Sequence, residues 1–358
     1  MNLVLAGGGT GGHIYGGVAI AEEFLKRSSS NRVLFIGSAY GLETRLVPKA
    51  GYELKTIQVG KLVGQSFFTR LTTLFQIPVA ILKCMVELRK FKTGAVVGVG
   101  GFAAGPCLIA AKILGIPCFI LEQNSVAGLT NQISAKLSHS VFLAFPEIPE
   151  GFPAKKCLHT GNPARNTLKP VEKAPGAPFT VFAFGGSQGA TGINKLLTEA
   201  YGILKKKGIT VHINHQTGEK DFAWVKEKYG NDSNVRVFPF IDNMQEMYDS
   251  ASIVICRSGS GTISELGATG NAAIFIPFPL AAGNHQEKNA LQVAAAGGAR
   301  VMVQGTATAE DLAREIQYFT ESSAELASMR KKMQEFYKAN AAQVIIDKVV
   351  TEGDSQEK

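Results

Sequence analysis

The chain has 358 residues, 45% apolar and 18% charged, which is enough for two cores at roughly 100–200 residues per domain. Its 39 glycines gather at loops without a collagen-like period, and its five cysteines form no CxxC pair, so a collagenous chain and a disulfide framework are excluded. Lys and Arg exceed Asp and Glu by 37 − 29 = 8, a balance that suits an anionic partner such as a nucleotide, a phospholipid surface or a nucleic acid, without choosing among them.

The opening "MNLVLAGGG" reads as a strand, with neither a basic leader nor a cleavage site, so no signal peptide is expected. No uncharged apolar run reaches about 18 residues, so no membrane span is expected. The unpatterned cysteines fit reduced core thiols in a cytoplasmic setting. Short β-branched strands follow in order: "NLVLA", "RVLFIG", "AVVGVG", "PCFIL", "FTVFAF", "TVHIN", "VRVFPF", "SIVIC" and "AAIFIP". Helical patterns over 17–27, 69–90, 104–114, 190–206, 242–250 and 283–296 separate them. This alternation predicts an α/β chain of parallel sheets covered by helices on both faces.

Residues 146–178 hold seven of the fourteen prolines. Proline breaks helices and cannot donate to a ladder, so this stretch reads as a boundary. Beyond it "TVFAFGGSQGATGINKLL" repeats the strand, glycine-rich turn and helix of "LVLAGGGTGGHIYGGVAI". Two Rossmann-like domains facing across a cleft are expected, over 1–160 and 161–335, with 336–358 as a terminal helix packing back on the first. Ligands of such sheets sit at the carboxyl ends of the strands, where both turns lie.

Gly7, Gly9 and Gly12 satisfy GxGxxG after a strand and before a helix. A dinucleotide site also wants an acid about 20 residues on, at the end of the second strand, for the ribose diol. There the chain has Ser38, and the nearest acid, Glu43, falls in the next helical pattern. The loop "GGSQGATG" lacks the GK[ST] ending of an ATP-type P-loop. Two phosphate-binding helix starts suit a donor and an acceptor that both carry phosphates, such as a nucleotide sugar and a phosphorylated acceptor. The sequence has no DxD, which points to a leaving group held by helix N-termini and backbone N–H groups rather than by a metal.

In order along the chain, "GGGTGGHIYGG", "GVGGFAAGP", "LEQNSVAGLTN", "GNPAR", "FGGSQGATGIN", "HQTG", "FIDNM", "CRSGSGTISELGATG" and "NHQEKNA" resemble the MurG family of bacterial glycosyltransferases, from residue 4 to about residue 300. The resemblance implies a GT-B fold and inverting transfer of N-acetylglucosamine from UDP-N-acetylglucosamine to the C4 hydroxyl of MurNAc in lipid I, giving lipid II. It implies no cofactor, no metal and no nucleic acid. It also implies peripheral attachment to an anionic membrane surface at the cytoplasmic side, and contacts with other cell-wall synthesis and division proteins. A GT-B enzyme acting on another glycolipid or natural product is the alternative. An oxidoreductase is disfavoured by the missing acid, and a non-catalytic nucleotide-sugar binder by the intact His13 and glycine loops.

His13 lies where the first glycine loop enters a helix, whose N-terminus disfavours imidazolium, so a neutral imidazole is available to take the acceptor's proton. The plain alternative is a histidine bonded within its loop. By resemblance Thr10, Gly11 and Gly12 lie beside the acceptor and GlcNAc, Asn124 contacts the sugar, and Arg165 contacts the donor. Ile241 offers its backbone to uracil, and Gln286, with Asn289 beside it, binds GlcNAc hydroxyls. Otherwise Ile241 is core and the amides face solvent.

Ser187 reads as an α-phosphate ligand or an N-cap. Thr262 and Glu265 read as a capping box, or Glu265 as the acid on the ribose of UDP. Gly9, Gly100, Gly101 and Gly105 form loops suited to the lipid diphosphate, or a turn packed tightly by small residues. Within 62–92 an apolar stretch with basic edges reads as a membrane patch, with Phe67, Phe68, Phe75, Lys83 and Arg89 as candidates, or as an amphipathic helix packed on the sheet. Gly16 and Ala272 stand where the family often has proline, which costs preorganisation only.

Overall fold

The computed structural model describes residues 1–59, 67–164, 167–171 and 178–354, with side chains for all of these but 67–75 and 354. It divides into two compact units, Met1–Arg165 together with Lys338–Lys358, and Asn166–Tyr337.

The first unit holds strands β1 (Asn2–Gly7), β2 (Arg32–Ser38), β3 (Leu54–Ile57), β4 (Ala95–Gly100), β5 (Cys118–Glu122), β6 (Ser140–Leu143) and β7 (Cys157–His159). Between them run helices α1 (Gly11–Arg27), α2 (Glu43–Lys49), α3 (Phe67–Lys90), α4 (Ala104–Ile113) and α5 (Leu129–Ala135). The strands pair in parallel in the order β3-β2-β1-β4-β5-β6-β7. Every residue of β4 and β5 is buried, which is why they read as unbroken apolar runs rather than alternating ones.

The second unit repeats the plan with β8 (Thr180–Phe184), β9 (His212–Gln216), β10 (Val235–Phe238), β11 (Ile253–Cys256), β12 (Ala273–Phe275) and β13 (Ala299–Val301), in the order β10-β9-β8-β11-β12-β13. Its helices are α6 (Thr191–Lys206), α7 (Phe222–Tyr229), α8 (Met244–Ser250), α9 (Ser260–Thr269), α10 (His285–Ala295), α11 (Ala309–Glu321) and α12 (Ser323–Gln334). The chain then returns to the first unit as α13 (Ala341–Asp354), which packs on α1 and buries Ile345, Ile346 and Val349 beside Leu3, Leu5 and Phe24.

Both sheets are therefore doubly wound, as the alternation predicts. Strand order reverses between β1 and β4 in one and between β8 and β11 in the other. Those switch points place three glycine-rich loops at strand ends. The sequence reading marked none of the short strands β3, β6, β7 and β13. It also started the first helix late. The glycines of the opening turn have poor helix propensity, but the Thr10 hydroxyl accepts the His13 N–H at 3.4 Å and caps them.

The third glycine loop, 185–189, rests on a buried polar network. Asn194 donates through Nδ2 to the Thr217 carbonyl and to Asp221, each at 2.9 Å, which fixes its Oδ1 as an acceptor facing His215 Nε2 at 3.0 Å. His215 must then carry its proton on Nε2 and accept at Nδ1 from the Tyr229 hydroxyl, 3.1 Å away. Burial forces the imidazole neutral and lowers its pKa from 6.5 to about 3. The same Thr217 carbonyl would lie 1.9 Å from a Cβ at Gly189, so the network sets a backbone against which only glycine fits.

Two outcomes follow from this packing. Ile346→Ala removes buried volume from the first unit and should cost that unit about 2–5 kcal/mol. The only tryptophan, Trp224, lies in α7, so its fluorescence transition in urea should stay in place while the circular dichroism transition moves earlier. Because the His215 pKa is lowered on folding, the unfolded chain binds a proton that the fold excludes. The contribution is complete above pH 6.5 and is lost as pH falls toward 3, by about 1.4 kcal/mol per pH unit. Trp224-monitored stability should therefore fall more steeply with acid in the parent chain than in His215→Gln; equal slopes would acquit His215.

Candidate active site

In the first unit the ends of β1 and β4 bring the first glycine loop, 7–12, against the second, 98–106. Gly8 N–H donates to the Gly100 carbonyl at 3.0 Å. A Cβ at Gly7 would sit 2.0 Å from that carbonyl oxygen, and one at Gly101 would sit 2.5 Å from the Gly8 oxygen. The two backbones touch, and side chains are excluded from between them.

His13 stands in the first turn of α1, over this contact. Its Nδ1 lies 2.9 Å from the Gly8 carbonyl oxygen. A carbonyl only accepts, so Nδ1 carries a proton, and in the neutral ring the lone pair is then on Nε2. Nε2 lies where a side chain at Gly100 would begin, 2.9 Å from the position of a Cβ there. The ring is thus held in the tautomer that a general base needs.

Glu43, set aside as a ribose ligand on sequence spacing, reappears here. It opens α2 with only 1% of its surface exposed. Its two carboxylate oxygens accept from Ser38 N–H and Gly9 N–H, both at 2.8 Å. Glu122, at the end of β5, does a similar job one strand over. It accepts from the N–H groups of Asn124 at 3.0 Å and Gly128 at 3.3 Å and from the Asn131 amide at 2.8 Å, folding the loop that carries Asn124. Burial pushes its carboxyl above the ordinary carboxylate range against those bonds. In the sequence Glu122 stands out only as part of the motif "LEQNSVAGLTN" and Glu43 only as the nearest acid after the second strand.

Of the other first-unit candidates, Thr10, Gly11, Gly12, Gly9, Gly100 and Gly101 gather with His13 at the switch point, while Gly105 lies inside α4 with Thr130 against it. Gly16 faces the Gln123 side chain. Arg165 lies outside the described residues, as do the side chains of Phe67, Phe68 and Phe75. Lys83 and Arg89 are exposed on α3, on the face that also exposes Val79, Leu82 and Val86, while Cys84 and Leu88 face the core. Among the described residues no helix is long and apolar enough to cross a membrane.

In the second unit Ser187 is exposed in the third glycine loop, but the N-cap alternative fails: α6 begins at Thr191 after Ala190. The Gln216 side chain spans two candidate regions, donating to the Gly186 carbonyl at 3.1 Å and accepting from Ile241 N–H at 2.9 Å. Ile241 is itself buried.

The capping-box alternative for Glu265 also fails. Gly259, extended at φ −64° and ψ 145°, is the N-cap of α9, so Thr262 and Glu265 lie inside the helix. Glu265 Oε2 instead accepts from the hydroxyl of Tyr248, a fully buried residue of α8, at 2.9 Å. Asn289 does not face solvent as its bland alternative had it. It is fully buried and donates to the Ser258 carbonyl at 3.2 Å, while Ser258 Oγ donates to the Gln286 carbonyl at 2.7 Å. The Gln286 side chain accepts from Phe278 N–H at 3.0 Å.

Sequence reasoning missed Arg257, which stitches this region together. Its guanidinium donates to the Ile276 and Pro277 carbonyls and to Gln304 at 2.7–2.9 Å, and burial lowers its pKa to about 10. Thus Ser187, Ile241, Thr262, Glu265 and Gln286 all sit on segments that follow the carboxyl ends of the second sheet or open the helices there. Among the described residues, no group of three or more His, Cys, Asp and Glu is placed to hold a metal ion.

Residues 3–143 match the glycosyltransferase family 28 N-terminal domain, and residues 180–347 match its C-terminal domain. A UDP-N-acetylglucosamine–N-acetylmuramyl-(pentapeptide) pyrophosphoryl-undecaprenol N-acetylglucosamine transferase of Syntrophus aciditrophicus is 40% identical over 351 residues, covering 97% of each chain. One of Geobacter sp. strain M21 is 39% identical over 363 residues, covering 100% of this chain and 98% of its own. The crystal structure of Acinetobacter baumannii MurG superposes with a TM-score of 0.79 at 30% identity, covering 98% of this chain and 99% of its own. The doubly wound sheets, the paired glycine loops and these full-length matches agree: the chain is a GT-B glycosyltransferase of family 28 and belongs to the MurG family of UDP-N-acetylglucosamine transferases.

Proposed function

We propose that this chain transfers N-acetylglucosamine from UDP-N-acetylglucosamine to the C4 hydroxyl of MurNAc in lipid I, giving lipid II. Full-length likeness to transferases of that name supports the overall reaction. The observation that carries the chemistry is the His13 Nδ1 contact with the Gly8 carbonyl, which makes Nε2 the basic nitrogen of the neutral ring.

In this reading His13 Nε2 takes the proton of the C4 hydroxyl as that oxygen attacks the anomeric carbon of GlcNAc. The bond from that carbon to the UDP oxygen breaks on the opposite face, so configuration inverts, and UDP leaves with the bonding pair. Thr10, Gly11 and Gly12 flank the reacting groups. Gly9, Gly100, Gly101 and Gly105 line the acceptor diphosphate. The second unit holds the donor: Ser187 and its loop at the α-phosphate, Ile241 at uracil, Glu265 with Thr262 at the ribose, and Gln286 at the GlcNAc hydroxyls. Asn124 and Arg165 complete the donor set. Backbone N–H groups and helix starts neutralise the leaving diphosphate, with no resident metal or cofactor.

The enzyme works at the cytoplasmic face of the cell membrane as a peripheral protein. The face of α3 supports this, because Val79, Leu82 and Val86 lie exposed beside Lys83 and Arg89, the pairing of apolar and basic groups that an anionic surface takes.

Transfer of radiolabelled GlcNAc onto a short-chain lipid I analogue tests the assignment. The parent chain should turn over equally with and without EDTA. His13→Ala should lose kcat by about 10²–10⁴-fold while its thermal stabilisation by UDP persists. Unchanged turnover in that variant removes His13 from the mechanism. Vesicles rich in phosphatidylglycerol should bind the protein at low salt and release it as ionic strength rises. Failure to bind at low salt removes the α3 surface from the account.

A further inference from the structure

The Glu43 carboxylate and the His13 ring sit at the two ends of one peptide group. The N–H of Gly9 and the C=O of Gly8 belong to the same planar unit, which is trans, so they point in opposite directions. Glu43 Oε2 holds the N–H end at 2.8 Å, and His13 Nδ1 lies 2.9 Å from the C=O end. The other Glu43 oxygen is tied to Ser38 N–H at the end of β2, also at 2.8 Å.

The surroundings are shaped to this side chain. A Cβ at Gly8, Gly37 or Gly41 would fall 2.4, 2.7 or 1.9 Å from a Glu43 atom, so three glycines leave the space it fills. An acid this deeply buried, spanning two segments of backbone, does more than occupy a gap. It fixes the plane of the Gly8–Gly9 peptide and polarises it, making the Gly8 oxygen a stronger acceptor.

We infer that Glu43 is a positioning residue for His13, acting through the Gly8–Gly9 peptide as a carboxylate acts directly on histidine in a catalytic triad. It keeps the proton on Nδ1, aims Nε2, and stabilises the imidazolium once the acceptor's proton arrives. This rests on the reading of His13 as the base. It also gives the first glycine loop a second role, since its Gly9 amide serves an internal anion.

The experiment combines kinetics with ¹⁵N NMR of histidine-labelled enzyme, with His13→Ala as control. In the parent chain the His13 resonances should report the Nδ1–H tautomer; an Nε2–H tautomer there overturns the inference whatever the variants do. Glu43→Gln keeps the shape but turns an amide donor toward one of the two N–H groups. It should lower kcat about tenfold or more, leave the KM for UDP-N-acetylglucosamine within about twofold, and mix the His13 tautomers.

Glu43→Asp keeps the charge but is one methylene too short to span both amides, and it should show the same loss. Parent-like kcat in either variant overturns the inference. So does a kcat loss with the tautomer unchanged, which marks a merely structural part. Full turnover in His13→Ala is a separate failure, of the base itself, because it appears without any change at Glu43.

Discussion

Two backbones approach so closely at the end of the first sheet that nothing larger than hydrogen fits between them. Gly7 and Gly8 lie against Gly100 and Gly101, joined by the bond from Gly8 N–H to the Gly100 carbonyl. The contact exists because β1 and β4 are neighbours at the point where strand order reverses, so their connections leave in opposite directions. With the loops so joined, the Gly8 carbonyl has one orientation, and His13, one turn into α1, meets it. A side chain at Gly7 or Gly101 would part the loops, one at Gly8 would strike Glu43, and one at Gly100 would strike the imidazole itself.

The second sheet solves the same problem with other means. Its third glycine loop is braced from behind by Asn194, His215 and the Thr217 carbonyl, and linked to Ile241 through Gln216. Its later loops are laced by Arg257, Ser258 and Asn289. In both units buried polar side chains satisfy loop backbone, so that turns which look flexible in sequence are held at defined positions. Such groups cost stability unless every bond is made, so each network is sensitive to single substitutions. Tyr248 and Glu265 extend this pattern to a carboxylate that is itself a candidate ligand.

Much of the fold was legible because it is written in period and punctuation. Unbroken apolar runs gave the buried strands, and glycine clusters marked their ends. The repeat of strand, loop and helix gave the doubled plan. The ordered motifs carried the family. What failed was local. The capping-box alternative at Thr262 and Glu265 matched the spacing, yet the helix starts earlier, at Ser260, with the extended Gly259 as its N-cap. The N-cap alternative for Ser187 fails because Ala190 is the N-cap and the helix begins at Thr191, beyond the left-handed Gly189. The solvent-facing alternative for Asn289 fails because the residue is buried; a helix pattern alone does not say which face meets the neighbouring loop.

The sequence by itself determined the alternation that builds two parallel sheets, the placing of glycine loops after their strands, and the ordered motifs of a glycosyltransferase family. Those are properties of neighbouring residues, and chain order preserves them. Only the tertiary structure decided the tautomer of His13, the anchoring of Glu43 on Gly9 and the bond from Tyr248 to Glu265. Each joins groups that sequence separates, by 5, 34 and 17 residues. A hydrogen bond reads distance and direction in space, and these are set when strand order folds the chain back on itself.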